Sequence, residues 1–471
     1  MIEVCRRQLN FAEGLIAEEV GELWEDWMRQ VDQVLADAQL LKIVYEALAR
    51  RWPQSRNRGR KGTPAEVVLR LLLLKHIRNW SYAVLEREVR ANLVYRQFTR
   101  VGAAKVPDAK TLGKLGLALG PEIIEKIHQR VVAIAQEKKI IRGRRLRVDT
   151  TVVETDIHYP TDSTLLGDAV RVLTRAMKRI AQVSGTMGVK LRDRTRAVKY
   201  RVLEIGRASR SRSEQGQAKL QQCYRKLLSG TSRVVGQAKR FAREVAAGVK
   251  HGACLVEQAG LEAQREYLET MIPRVRQVMR QTRERILKGN TRVAGKIVSL
   301  FEPHTEVIRK GKAAKPTEFG KLVKIQEAEQ QIVIHYEVYD ERPSDAALLI
   351  PALDVHERQL ARTPRLVTAD AAFFSARNEA AAHARGVTRI AIPNLSTKSA
   401  ERKKLQKKRW FRNAQRWRTG SEGRISLLKR RHGLNRCRYK GQSGMKRWVG
   451  FGVIGDNLIN IGRSLTASAK A

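Results

Sequence analysis

Two hydrophobic periods alternate along these 471 residues, and the switches between them outline the fold. Near the start, Trp24, Trp27, Val31, Val34 and Leu35 recur at three and four positions, one apolar face of a helix. Thr63-Pro64-Ala65-Glu66 predicts a helix start, with Thr63 as cap, Pro64 at the first helical position and Glu66 completing a capping box. The following run, VVLRLLLLKHIRNW, is apolar almost all round and predicts a buried helix. After a break at Asn79-Trp80-Ser81, a second helix sets Val84, Leu85 and Val89 on one face and Arg87, Arg90 and Arg96 on the other. Pro107-Asp108 and Pro121-Glu122 open two more helices, the longer ending near Lys139.

The period falls to two in RRLRVDTTVVETDIHYPTD, Arg144 to Asp162. Val148-Asp149-Thr150-Thr151-Val152-Val153 is a β-branched run and predicts a strand. An acid inside such a strand is costly to bury unless it is paired or holds a metal, so Asp149 calls for a partner. Beyond it the chain is helical for over a hundred residues. Three apolar stripes mark this region: Leu220 to Leu228, Val234 to Val245 and Leu268 to Met279, each opposite a face crowded with Lys and Arg. Period two returns at Lys296 to Phe301, a predicted strand. Lys321 to Ile325 and Ile332 to Tyr339 predict a hairpin. Pro343-Ser344-Asp345 opens a helix to about Leu360. A strand Leu366 to Asp370, a helix Ala376 to Arg385 and a strand Arg389 to Ile392 follow. With the insert lifted out and Lys296 to Phe301 set aside as a flanking piece, the order is three strands, helix, strand, helix, strand. That order predicts an α/β (mixed α+β) fold with a mixed sheet and helices on its faces.

Charge narrows the partners. The chain carries 92 Lys+Arg against 47 Asp+Glu, a formal +45, with 42% hydrophobic residues to build real cores. A charge this large repels itself until a polyanion neutralises it, and nucleic acid is the polyanion that fits. General stickiness of the ribosomal kind and an anionic membrane surface are the plainer alternatives. No run of about 18 apolar residues predicts a spanning helix, and MIEVCRRQLNF lacks a signal-peptide core. Cys5, Cys223, Cys254 and Cys437 form no CxxC and suit reduced thiols in the cytosol. Arg51 to Lys61 is a basic linker, either solvated or phosphate-contacting. The two short helices around Ser81 suit a helix-turn-helix whose second helix enters the major groove, although core packing alone explains their apolar positions.

Two further acids join Asp149. Asp370 ends the apolar strand LVTAD, and strand ends are where open α/β sheets place their sites; capping the next turn is the bland reading. Oxygen ligands of this kind suit Mg²⁺. Glu422 follows Arg418 by four and precedes Lys429 by seven, offsets that share one helical face. Gly420 and Gly423 weaken the first turn, which leaves Arg418 ahead of the helix as the alternative, and surface ion pairs would explain the trio without chemistry. Asp340 and Asp345 could replace Asp370 but rank below it, because Ser344-Asp345 suits a helix start. Asp162 suits a cap for the helix opening at Ser163. His158 and His335 lack His or Cys partners of metal-site spacing. Trp410 and Trp417 lie in a basic stretch and suit either base stacking or packing against the sheet.

With these residues in view, the chain resembles the DDE-type insertion-sequence transposases. Their first acid lies in a strand motif like Val148 to Val153, followed by a segment like Ile157-His158-Tyr159-Pro160-Thr161-Asp162-Ser163. Their second acid ends a strand, as Asp370 does. Their third lies in a Y-x2-R-x3-E-x6-K signature, matched in spacing by Arg418, Glu422 and Lys429, while Gln415 stands at the Tyr position. WSYAVLEREV and VPDAKTLGKL, within Thr63 to about Lys138, resemble the family's helical N-terminal domain.

The resemblance implies a ribonuclease-H-like catalytic domain in two pieces, residues 141–162 and 291–471. A helical N-terminal DNA-binding or dimerisation domain, 1–140, precedes it, and a basic all-α insert, 163–290, separates its first and second strands. It implies a DNA transposase and endonuclease using two Mg²⁺ ions, with Mn²⁺ as a substitute. Asp149 would bridge both ions, with Asp370 and Glu422 each holding one. Arg418 and Lys429 would grip phosphates beside the scissile bond. The implied partners are double-stranded DNA, as terminal inverted repeats and as target, and a second copy in a homodimer. The implied setting is the cytoplasm, on the nucleoid. A catalytically silent repressor and a ribonuclease-H-like nuclease are the rival readings.

Overall fold

The β-branched run around Asp149 forms β1, Arg145–Thr155, and the other strands are arranged about it. The computed structural model describes residues 2–5, 19–51, 54, 58, 61–185, 187–211, 213–309 and 316–470, so most of the basic linker Arg51 to Lys61 lies outside the described residues. By contacts the chain divides into residues 1–156 with 320–471, and residues 157–319.

After β1 come β2 (Glu306–Arg309, in the second unit), β3 (Thr317–Glu327), β4 (Val333–Val338), β5 (Leu366–Ala369), β6 (Arg389–Ala391) and β7 (Arg436–Cys437). In the first unit the order across the sheet is β4-β3-β1-β5-β6, with β7 beside the end of β1. β1 runs antiparallel to β3 and parallel to β5, and β5 runs parallel to β6. This is the mixed α/β sheet that the strand pattern predicts. The start of β1 is held from the hairpin: the Glu329 carboxylate accepts the backbone N–H groups of Arg142, Gly143, Arg144 and Arg145 at 2.6–3.3 Å. Gly320 is dictated by sheet pairing, since a Cβ there would lie 2.1 Å from the Val153 carbonyl.

Alternation along β1 sorts the cores. Leu146 and Val148 face Val367, Ala369 and Leu353, the last on helix Leu349–Leu360. Val153 joins Val323, Ile325, Leu428 and Trp448 on the other face. Helix Gly441–Lys470 is buried through Phe451, Ile454 and Leu458, and helices Asp26–Leu35, Ala65–Ile77 and Pro121–Glu137 share its core.

The second unit is helical: Asp162–Ser184, Thr195–Ala208, Glu214–Ala246 and Leu255–Thr282. The three apolar stripes meet there, with Leu173, Leu227, Phe241, Leu268 and Val275 fully buried together.

Four local expectations are corrected. Lys296 to Phe301 is not a strand, because Gln281 takes the strand partner's place: its amide donates to Ile297 O and accepts from Ile297 N, both at 2.9 Å. Thr161, not Asp162, caps the helix that follows the HYPTDS segment, in a reciprocal box with Thr164, while Asp162 is buried against Arg285 at 3.1 Å. Pro64 occupies the cap position of its helix rather than the first turn. Ala65 and Glu66 donate their N–H groups to the Glu3 and Val4 carbonyls, and Glu66 turns to Arg70 at 2.9 Å. Arg96 lies on the next short helix, Leu93–Phe98, and clamps the carbonyls of Gly102 and Ala104 at 2.8 Å.

Candidate active site

Register brings the first two acids together. Val148 pairs with Ala369 in the parallel β1–β5 ladder, so Asp149 and Asp370 are the next residues on adjacent strands and face the same way. Asp370 stands just beyond the end of β5 and is exposed, and its carboxylate also accepts the Ala371 N–H. Burial raises the Asp149 carboxyl above the ordinary range. The charge of Asp370 adds to that rise, while the Thr150 N–H, the Ser421 hydroxyl and Arg418 oppose it.

The third segment is one continuous helix, Arg409–Arg431, so Arg418 lies inside it rather than ahead of it. Gly420 does not break the helix. It leaves room for Arg147, whose guanidinium crosses at that point, and a Cβ would collide with it. Arg147 is two residues before Asp149 and shares its face of β1. It stacks over Trp417 at 4.9 Å, donates to the Trp417 carbonyl and pairs with Glu327. The buried Glu327 also has Arg424 Nε at 3.9 Å, and Arg424 grips Asp456 at 2.8 and 2.9 Å. Strand and helix are therefore locked one turn from the acid. The lock sets Ser421 Oγ 3.0 Å from Asp149 Oδ2.

Glu422 is less engaged. It pairs with Arg418 at 3.0 Å, and its side chain is 62% exposed. Among the described residues, no three His, Cys, Asp or Glu side chains are grouped closely enough to hold a metal ion. Lys429 is half-buried on the same helix. Trp417 packs against Arg147. Trp410 meets Phe411 edge-on at 5.6 Å and lies under Arg389 at 5.5 Å, so both tryptophans have packing partners in the first unit. Gln415, at the signature's Tyr position, donates to Thr368 Oγ1 at 3.2 Å and to the Ala391 carbonyl, tying the helix to β5 and β6.

The rival acids are used elsewhere. Asp345 accepts from Thr150 Oγ1 at 3.1 Å, and Thr150 faces away from Asp149's side of the sheet. Asp340 takes Gln442 and, at 3.5 Å, Lys446. His335 is pulled down to about 3 by burial, and His158 lies 3.5 Å from Asp168. Ser421, Arg147 and Glu327 were not singled out from sequence. The available signal was position alone: Ser421 immediately precedes Glu422, and Arg147 lies two before Asp149.

No helix among the described residues is long and apolar enough to cross a membrane. Residues 23–115 match a family model described as a Transposase domain (DUF772), which takes in the WSYAVLEREV and VPDAKTLGKL segments. Residues 377–461 match a Transposase DDE domain, which takes in Arg418, Glu422 and Lys429. No curated protein and no solved structure matches the chain. A DDE domain suggests a nucleic-acid-cleaving enzyme, and transposase domains imply DNA binding. Together the two matches support an insertion-sequence DDE transposase.

Proposed function

We propose that this chain cuts the DNA ends of its element and joins the freed 3′-OH groups to target DNA, using Asp149, Asp370 and Glu422 as its acids. The observation that carries this reading is the placement of Asp149 and Asp370 side by side on parallel strands, with Ser421 from the Glu422 helix on Asp149. The strand order β4-β3-β1-β5-β6, antiparallel then parallel about β1, supports a ribonuclease-H-like catalytic domain.

The two aspartates fit a divalent cation. Both are hard oxygen donors, and the Asp370 charge adds to the burial that raises the Asp149 carboxyl, a cost that a cation beside Asp149 would relieve. Glu422 does not join that pair while Arg418 holds it. When bound, divalent ions such as Mg²⁺ or Mn²⁺ supply a water nucleophile at neutral pH and charge relief for the leaving 3′ oxygen. The chain's own residues do the rest. Ser421 orients the Asp149 carboxylate. Arg418 and Lys429 bind phosphates next to the scissile bond, Arg418 by its planar fork. A homodimer would hold two ends together.

The pairing of Glu422 with Arg418 at 3.0 Å favours one second reading, a DNA-binding repressor without catalysis. A plasmid bearing the element's terminal repeats, incubated with purified protein and Mg²⁺, separates the two. Nicked ends that vanish in Asp149→Asn, Asp370→Asn and Glu422→Gln, with DNA binding retained, support the enzyme. Full cutting by Glu422→Gln sinks the site assignment, and binding without cutting by the wild type leaves the repressor.

A further inference from the structure

In the second unit, helices Thr195–Ala208 and Glu214–Ala246 enclose an open groove of about 420 Å³. Its rim is cationic: Arg194, Arg201, Arg225, Lys226 and Arg233. Its floor includes Ser229 and Gly230. Arg225, Ser229 and Arg233 recur every fourth residue, so they lie along one face of their helix with the small residue in the middle. That spacing sets Ser229 between two arginines, and Arg233 reaches its hydroxyl at 3.4 Å.

Packing does not require the glycine. A Cβ on Gly230 would meet Val198 Cγ2 at 3.7 Å, an ordinary contact. Charge balance does not account for the rim either. Among the described residues, Arg201 alone of the five has a carboxylate partner, Glu204 at 2.6 Å. Burial, with the neighbouring charges of Arg192 and Arg233, draws Arg194 below the usual arginine range. Five cations crowded around one carboxylate, Glu204, leave a positive excess, the electrostatic footprint of a polyanion site. Among the described residues no aromatic side chain lines the groove, so it lacks the stacking platform that reads unpaired bases, and its cations suit phosphates.

We propose that this groove binds consecutive backbone phosphates of duplex DNA without regard to sequence. The proposal rests on the DNA-transposase reading and gives the helical unit a role in it. Removing a phosphate contact lowers the salt dependence of binding by about 0.9 per contact.

The test uses the full chain and a fluorescein-labelled duplex of random sequence, with affinity followed across a KCl series. Arg194→Gln/Arg225→Gln/Arg233→Gln is compared with Arg276→Gln/Arg280→Gln/Arg283→Gln, exposed cations of the same unit outside the groove. The expected result is a log–log slope reduced by roughly 2–3 and at least tenfold weaker binding in the groove variant, with the control close to wild type. Gly230→Leu, which fills the groove floor and keeps every charge, should also weaken binding several-fold with unchanged helical circular dichroism. A groove variant indistinguishable from the control overturns the groove proposal alone. Preferential loss of single-stranded DNA or RNA binding overturns the duplex assignment. Failure of the wild type to bind any duplex overturns the DNA reading itself.

Discussion

Ser421 Oγ lies 3.0 Å from Asp149 Oδ2 and 2.8 Å from the Arg418 carbonyl oxygen. A hydroxyl has one proton to give, and the carboxylate is the stronger acceptor. Ser421 therefore positions Asp149 by a charge-assisted hydrogen bond, the kind worth roughly 1.5–3 kcal/mol. Ser421→Ala should slow DNA cutting by about tenfold or more, equivalent to at least about 1.4 kcal/mol, while Ser421→Thr keeps most of the rate. Single-turnover nicking across a Mg²⁺ series checks this. Wild-type rate and metal dependence in Ser421→Ala would remove Ser421 from the site.

Arg147 and Glu327 form the lock behind that contact. Their side chains are 4% and 1% exposed, so breaking the pair strands a charge in the interior. Arg147→Met should cost about 3–5 kcal/mol, because Glu327 is left with Arg424 at 3.9 Å. Arg147→Met/Glu327→Met should recover part of that loss. Urea unfolding of the two single variants and the double variant gives the coupling energy, and strictly additive losses would show that the two residues do not act as a pair.

Much of this arrangement was legible in the sequence. Asp149 stood out because an acid in Val148-Asp149-Thr150-Thr151-Val152-Val153 needs a partner; the Ser421 hydroxyl and the Thr150 N–H bond its carboxylate, and the register with β5 sets Asp370 beside it. Local pattern could not reveal side chains that stand in for backbone. Gln281 satisfies Ile297 on both sides, so Lys296 to Phe301 keeps a strand's period without pairing as one. Gly420 looked like a helix breaker because the guanidinium that needs its space lies 273 positions earlier in the chain. Arg147 and Glu327 likewise meet only through tertiary structure, across 180 positions.

Arg418 separates stability from chemistry. Its partner Glu422 is 62% exposed, so their i,i+4 pair contributes only about 0.3–0.5 kcal/mol, while the Arg418 side chain is 17% exposed and its stem adds some packing. Arg418→Ala should therefore melt within a few degrees of wild type yet lose most cutting, since the proposed phosphate grip goes with the guanidinium. Arg418→Lys keeps the charge but not the fork and should fall between. Thermal melts beside nicking assays decide it: a large melting loss in Arg418→Ala would make the residue structural.

Lys75 gives the first unit a pH-dependent weakness. Its side chain is buried, with Nζ 4.8 Å from the Tyr82 ring and 5.0 Å from both Tyr439 and Trp448. The ring faces favour the ammonium. Burial opposes it more strongly, aided by Arg438 and Arg447, and the amine is brought down to about 7. An unfolded lysine titrates near 10.4. Below pH 7 both states carry the proton, and the folded state bears the full cost of a buried cation. Between about 7 and 10.4 the unfolded chain binds more protons than the folded one, so stability from this group rises with pH. Lys75→Met removes the cost. It should stabilise the chain by on the order of 2–4 kcal/mol at pH 6 and lose that advantage as the pH approaches 10. Paired melts of wild type and Lys75→Met from pH 6 to 10 measure the difference, and a gap that stays constant across the series would mean that Lys75 does not titrate in this range.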